Sequence, residues 1–117
     1  MTPEPPRSSP IRGVRWVDRA AVVDATGEID LNCSLEFQQT LLNLLDERPQ
    51  RIVINLSDVS YMDSSGVASL VKLLSRVRKS GLALHLAGLT DRVRSVFEIT
   101  RLDSVFDIFA TEAEALE

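Results

Sequence analysis

The chain has 117 residues, of which 44% are hydrophobic and 26% are charged, and its formal net charge is −4. This length and composition are typical of one globular domain with its own apolar core. The chain has a single cysteine, Cys33, so an intrachain disulfide is excluded. It also has a single histidine, His85, and one cysteine with one histidine are too few ligands for a Cys/His zinc site. The acidic balance argues against direct nucleic-acid binding.

The first residues predict a tail. Four of the five prolines lie within the first ten residues, beside Ser8 and Ser9, so this segment has little to bury. We predict a flexible Pro-rich tail over residues 1–12 and one domain over residues 13–117, with an arm packed on the domain as the alternative. No segment resembles a signal peptide or the ~20 apolar residues of a membrane span, so we expect a cytoplasmic protein without a membrane span.

The first part of the domain is predicted to form a hairpin and then a helix. A strand over residues 14–17 precedes a turn at residues 18–19, and a second strand over residues 21–26 ends at Gly27. Apolar residues then recur at helical spacing over residues 34–47.

The rest of the domain alternates strands with helices. The mostly apolar run over residues 52–56 favours a central strand buried on both faces. Further strands are predicted over 82–86 and 105–109, and further helices through 67–77, from Thr90 or Asp91, and over 111–114. This order predicts an α/β domain with a mixed, mostly parallel central sheet of about five strands and about four helices.

The start of the second predicted helix is the candidate site. We expect a polar loop after the strand at 52–56, leading to Asp63, Ser64 and Ser65, and such loops commonly carry sites in α/β proteins. A phosphorylated serine there would be favoured by the helix dipole. The alternative is that these residues only cap the helix, which is the commoner role. The missing Cβ of Gly66 would let a partner's backbone approach closely.

Known catalytic patterns are absent from this segment. It has neither the Gly-x-Ser-x-Gly of a nucleophile elbow nor the Gly-Lys-Ser/Thr of a phosphate-binding loop. We therefore expect no enzymatic activity and no cofactor.

Three stretches resemble a known family, at matching separation and in matching element order. Residues 26–31 read Thr-Gly-Glu-Ile-Asp-Leu, residues 53–66 end in Met-Asp-Ser-Ser-Gly, and residues 86–89 read Leu-Ala-Gly-Leu. Together they resemble the STAS domain of the anti-sigma factor antagonist family, over roughly residues 14–116. The family often has a glycine where this chain has Arg101, which puts the end of the third helix in doubt.

The resemblance implies a binding module controlled by phosphorylation of Ser64. The unphosphorylated form would sequester an anti-sigma factor that is also a serine protein kinase, and so regulate transcription. The phosphorylated form would release that partner, and a serine phosphatase would reverse the mark. Asp30, Asp63, Ser65 and Gly66 match the family motifs and are expected to take part in partner binding, although Asp30 and Asp63 could instead cap helices.

Other roles for such a domain remain open alternatives. Some STAS proteins resemble accessory subunits of lipid-transport ABC systems, and others resemble structural scaffolds in signalling assemblies. The intact motif at residues 63–66 favours the phosphorylation-controlled module. We expect a monomer or weak dimer.

Overall fold

The computed structural model describes residues 10–117, so most of the predicted tail lies outside the described residues. Five strands form one sheet in the order β1-β2-β3-β4-β5. The elements are β1 (Ile11–Val17), β2 (Ala20–Ile29), α1 (Ser34–Asn43), β3 (Arg51–Met62), α2 (Ser64–Ser80), β4 (Ala83–Ala87), α3 (Asp91–Ile99), β5 (Asp107–Phe109) and α4 (Glu112–Ala115). β1 is antiparallel to β2 and the other neighbouring strands are parallel, which confirms the predicted α/β architecture.

The two faces of the sheet are covered unequally. Because side chains alternate along a strand, Ile52 and Ile54 of β3 face the large core shared with α1, α2 and α3. Val53, between them, faces a smaller cluster with Val22 and with Ala115 of α4. The central strand is thus buried on both faces, as its composition predicts.

The largest departure from the sequence prediction is the length of β2 and β3. Residues 57–62, expected as a polar loop, continue β3, and β2 continues through Gly27 to Ile29. The two extensions pair with each other, and Gly27 takes a φ of 77° beside a register shift. Gly27 therefore bends β2 without ending it.

Smaller departures occur at element ends. β1 begins at Ile11, inside the segment predicted as tail, and the Pro10 carbonyl accepts a 2.8 Å hydrogen bond from the Thr26 N–H. A 3₁₀ turn, Leu44–Glu47, replaces the last predicted turn of α1. Arg101 takes the left-handed conformation, with a φ of 60°, that a glycine would adopt more readily.

The C-terminal helix α4 is attached to the second face by polar contacts. Arg15 of β1 donates to Asp24 at 2.6 and 2.8 Å and also to Glu112 of α4. Glu112 accepts a further 3.1 Å hydrogen bond from the Asn55 amide. His85, half-buried on β4, places Nδ1 2.8 Å from the Ala115 carbonyl. Among residues 10–117, no helix combines the length and apolar character that a membrane crossing requires.

Candidate functional site

One carboxylate organises the start of α2. Asp63 is the N-cap, and its Oδ1 accepts hydrogen bonds from the backbone N–H groups of Ser65 at 2.9 Å and Gly66 at 3.2 Å. Its Oδ2 accepts from the Leu31 N–H at 3.1 Å, in the loop that joins β2 to α1. Asp63 therefore caps one helix and fixes the approach to another.

These hydrogen bonds keep the Asp63 carboxylate ionised. Desolvation by burial raises its pKa, but the bonds from Ser65, Gly66 and Leu31 outweigh that effect and leave the pKa below its usual value. The negative charge also lies at the positive end of the α2 dipole. The cap is thus stable as an anion.

The two serines after Asp63 differ sharply in environment. Ser65 is half-buried, and its hydroxyl donates a 2.5 Å hydrogen bond to Asp63 Oδ1. Ser64 is exposed, and across residues 10–117 its hydroxyl has no hydrogen-bond partner. Of the two hydroxyls, only that of Ser64 is therefore free to meet another molecule.

Gly66 has a role inside the protein. It is buried, and a Cβ there would lie 2.7 Å from Met62 Cγ and 3.0 Å from both Cγ2 and the carbonyl oxygen of Ile29. The space that a Cβ would need at Gly66 is thus filled by the protein's own β2 and β3. The missing side chain of Gly66 lets α2 begin directly against the ends of both strands.

Asp30 lies near this cap without joining it. Its Oδ1 accepts a 3.0 Å hydrogen bond from the Asn32 N–H, and its carbonyl accepts from the N–H groups of Cys33 and Ser34. Among the described residues, no hydrogen bond links Asp30 to Asp63 or Ser64. Asp30 therefore shapes the turn before α1, and its neighbour Leu31 is what contacts Asp63.

Apolar surface adjoins Ser64. A groove of about 320 Å³ lies between α2 and the chain after α3, lined by Ser64, Val67, Ala68, Val71, Thr100 and Leu102. Val71, one of the lining residues, is 40% exposed. Apolar side chains clustered on a surface commonly mark an interaction site.

Sequence reasoning missed this groove. The apolar run through residues 67–77 predicts a helix but does not separate Val71, which is 40% exposed, from Leu73, which is buried. A signal was present, because Ser64, Ala68 and Val71 follow the i, i+4, i+7 spacing of one helix face. Reading that face separately from the core stripe would have revealed small and apolar residues turned outward.

The comparisons with known proteins agree with this fold. The STAS domain family model matches residues 14–115. An anti-sigma-B factor antagonist of Staphylococcus aureus is 31% identical over 91 residues, covering 78% of this chain and 84% of that protein. One from Bacillus subtilis is 36% identical over 88 residues, covering 75% and 80%.

Solved structures show the same similarity to anti-sigma factor antagonists. The crystal structure of a Thermotoga maritima protein described as an anti-sigma factor antagonist superposes with a TM-score of 0.84. It is 25% identical in sequence, and the match covers 89% of this chain and 90% of that one. The chain therefore belongs to the STAS domain family and groups with the anti-sigma factor antagonists.

Proposed function

We propose that this protein is an anti-sigma factor antagonist that binds its partner when Ser64 carries a free hydroxyl and releases it when Ser64 is phosphorylated. The partner is an anti-sigma factor that is also a serine protein kinase, and a serine phosphatase restores the binding form. The protein then acts in the cytoplasm as a binding module in transcription regulation, not as an enzyme. The names of its S. aureus and B. subtilis relatives support this role.

The observation that carries the switch is the position of Ser64. Its unbonded hydroxyl lies on the wall of an apolar groove at the first residue of α2. A phosphate would add about −1.5 to −2 charges at that point. In the free protein, water and the helix N-terminus stabilise that charge. In a complex, the same charge would be held against apolar surface without matched partners, which costs several kcal/mol.

In this proposal, the other motif residues fix the position of Ser64. Asp63 and Ser65 hold the first turn in place, and Gly66 sets that turn against β2. Asp30 shapes the adjoining loop. These four residues affect partner binding by positioning Ser64 and its surroundings.

The test is phosphorylation of the purified protein by the cognate kinase and ATP, followed by mass-spectrometric mapping. We expect the phosphate on Ser64 in the wild type and in Ser65→Ala, and no stoichiometric modification of Ser64→Ala. Stoichiometric transfer to Ser65 in Ser64→Ala would contradict the assignment.

Calorimetric titration then tests the release. We expect phosphorylation to weaken kinase binding at least tenfold, which corresponds to about 1.4 kcal/mol. The melting temperature should change by only a few degrees, equivalent to ~1 kcal/mol or less for this size of domain. Equal affinity of the two forms would overturn the switch and favour a transport-accessory or scaffold role.

A further inference from the structure

A second groove lies toward the other end of α2, away from Ser64. It has a volume of about 560 Å³ and runs between α2 and the 3₁₀ turn Leu44–Glu47. Its lining includes Leu45, Asp46, Lys72, Ser75, Arg76 and Lys79. We call it the basic groove, because three of these side chains are cations.

Positive charge is concentrated in this part of the chain. The whole protein has a net charge of −4, yet residues 64–90 contain four lysines and arginines and no aspartate or glutamate. Lys72, Arg76 and Lys79 are exposed, and none forms an ion pair with any residue of the described chain. Asp46 shares the groove without coming within ion-pairing distance. The groove thus has cations whose charge the protein leaves unmatched.

Helix stabilisation explains only part of this charge. Cations in the last turn complement the helix dipole, and Arg78 and Lys79 occupy that turn. Lys72 lies about two turns earlier, beyond the reach of that effect. Arg78 turns to a different neighbour, because its guanidinium lies 3.5 Å from the Val105 carbonyl. Two of the three groove cations, Lys72 and Arg76, are therefore not accounted for by the end of the helix.

We propose that the basic groove binds a short acidic segment of a protein partner. Along α2, Lys72 and Arg76 are separated by about 6 Å, and Lys72 and Lys79 by about 10.5 Å. Alternate side chains of an extended segment recur every ~6.6 Å, close to the Lys72–Arg76 spacing, so carboxylates at two alternate positions can face these two cations. Leu45 supplies an apolar contact on the opposite wall.

The charge of the whole chain favours such a segment over a long polyanion. A nucleic acid would extend past three cations onto a surface with net negative charge, whereas a segment of about five residues remains inside the groove. This inference does not depend on phosphorylation of Ser64, because it rests on a different pair of elements.

Fluorescence anisotropy of the full chain with a labelled Glu-Ser-Glu-Ser-Glu peptide tests the proposal. We expect saturable binding at low salt, and at least a tenfold loss of affinity in the double variant Lys72→Glu/Arg76→Glu. The matched control is Arg92→Glu/Arg94→Glu, which makes the same charge change on exposed positions of α3 and should leave affinity within about twofold. A Gln-Ser-Gln-Ser-Gln peptide should not bind.

Several outcomes would overturn the proposal. These are the absence of saturation by about 1 mM peptide, equal losses in the two double variants, or equal binding of the glutamine peptide. Preferential binding of a single-stranded oligonucleotide or of phosphatidylglycerol vesicles, lost in Lys72→Glu/Arg76→Glu, would assign the groove to a different anion. Thermal melts of both variants ensure that only folded protein is compared.

Discussion

Two carboxylate networks in this protein are built in different ways. At the start of α2, Asp63 is held by three backbone N–H groups and one hydroxyl. On the other face of the sheet, Asp24 and Glu112 share the side chain of Arg15, which is 47% exposed. The first network is fixed by main-chain geometry, and the second depends on a long side chain in contact with water. The contrast teaches that Ser64 is displayed on a rigid support, whereas the polar link from β1 to α4 through Arg15 is one that solvent can compete with.

The two networks respond alike to protons but differently to salt. Hydrogen bonds from Arg15 lower the pKa of Asp24 and of Glu112, while the hydrogen bonds at the α2 cap lower that of Asp63. A depressed carboxylate pKa adds stability above the unfolded pKa, near 4, which is lost as the pH falls. Salt screens the exposed ion pairs more than the hydrogen-bonded cap.

The largest effect is expected from breaking the support beneath Asp63. Gly66→Val should lower the free energy of unfolding by about 1–3 kcal/mol, because its Cβ would press on Met62 and on the Ile29 carbonyl. Urea denaturation measures this loss. Gly13→Val is the matched control, because nothing lies within 4 Å of a Cβ there. Equal stability of the two variants would show that α2 can shift away from the strands at little cost.

Removing the cap itself should have the next largest effect. Asp63→Ala should cost about 0.5–2 kcal/mol, since it leaves the first N–H groups of α2 without their acceptor. Asp63→Asn should retain most of that stability, because an amide oxygen can still accept. The loss in Asp63→Ala should persist in 1 M NaCl. A loss that disappears at high salt would make this network electrostatic, like the one at Arg15.

The Arg15 network should contribute less. Glu112→Ala should cost at most about 1 kcal/mol at low salt, and clearly less in 1 M NaCl. Glu114→Ala is the control on the same helix, since the Glu114 side chain forms no ion pair among the described residues. If Glu112→Ala proves as costly as Asp63→Ala and equally insensitive to salt, the contrast between the networks fails.

The smallest effect is expected in the pH dependence of stability. Between about pH 5 and pH 3 the wild type should lose stability as Asp24, Asp63 and Glu112 gain protons. Asp63→Asn should lose less over the same interval, because one of the three depressed carboxylates is gone. Urea midpoints measured at each pH test this. Identical slopes for the two proteins would mean that the Asp63 pKa is the same folded and unfolded.

The sequence predicts the order of elements better than their lengths. Apolar periodicity locates α2, because the packing face of a helix leaves a local signal in the sequence. The extension of β3 to Met62 was missed, because its alternating polar residues resemble a loop until β2 is known to run beside it. Pairing between strands distant in sequence is not encoded in either segment alone.

At the candidate site, too, local features are predictable from the sequence and contacts between distant segments are not. The motif at residues 63–66 is readable, and its cap follows from the preference of Asp for that position. The family resemblance implies Ser64, but the physical difference between Ser64 and Ser65 requires the structure, because it depends on which hydroxyl reaches Asp63 in three dimensions. The packing role of Gly66 also required the structure, since Ile29 approaches it from another strand.

The strand order has a consequence for how the protein assembles during synthesis. Every pair of neighbouring strands in the sheet is also consecutive along the chain. As the polypeptide leaves the ribosome, each new strand can therefore add to an edge that is already present, without waiting for a distant partner. The helix α4 is the last of these elements to be synthesised. Until it packs, Val22 and Val53 lack the cover that Ala115 of α4 provides. We therefore expect nascent chains that lack residues 112–117 to have a folded sheet with one apolar face that chaperones can bind.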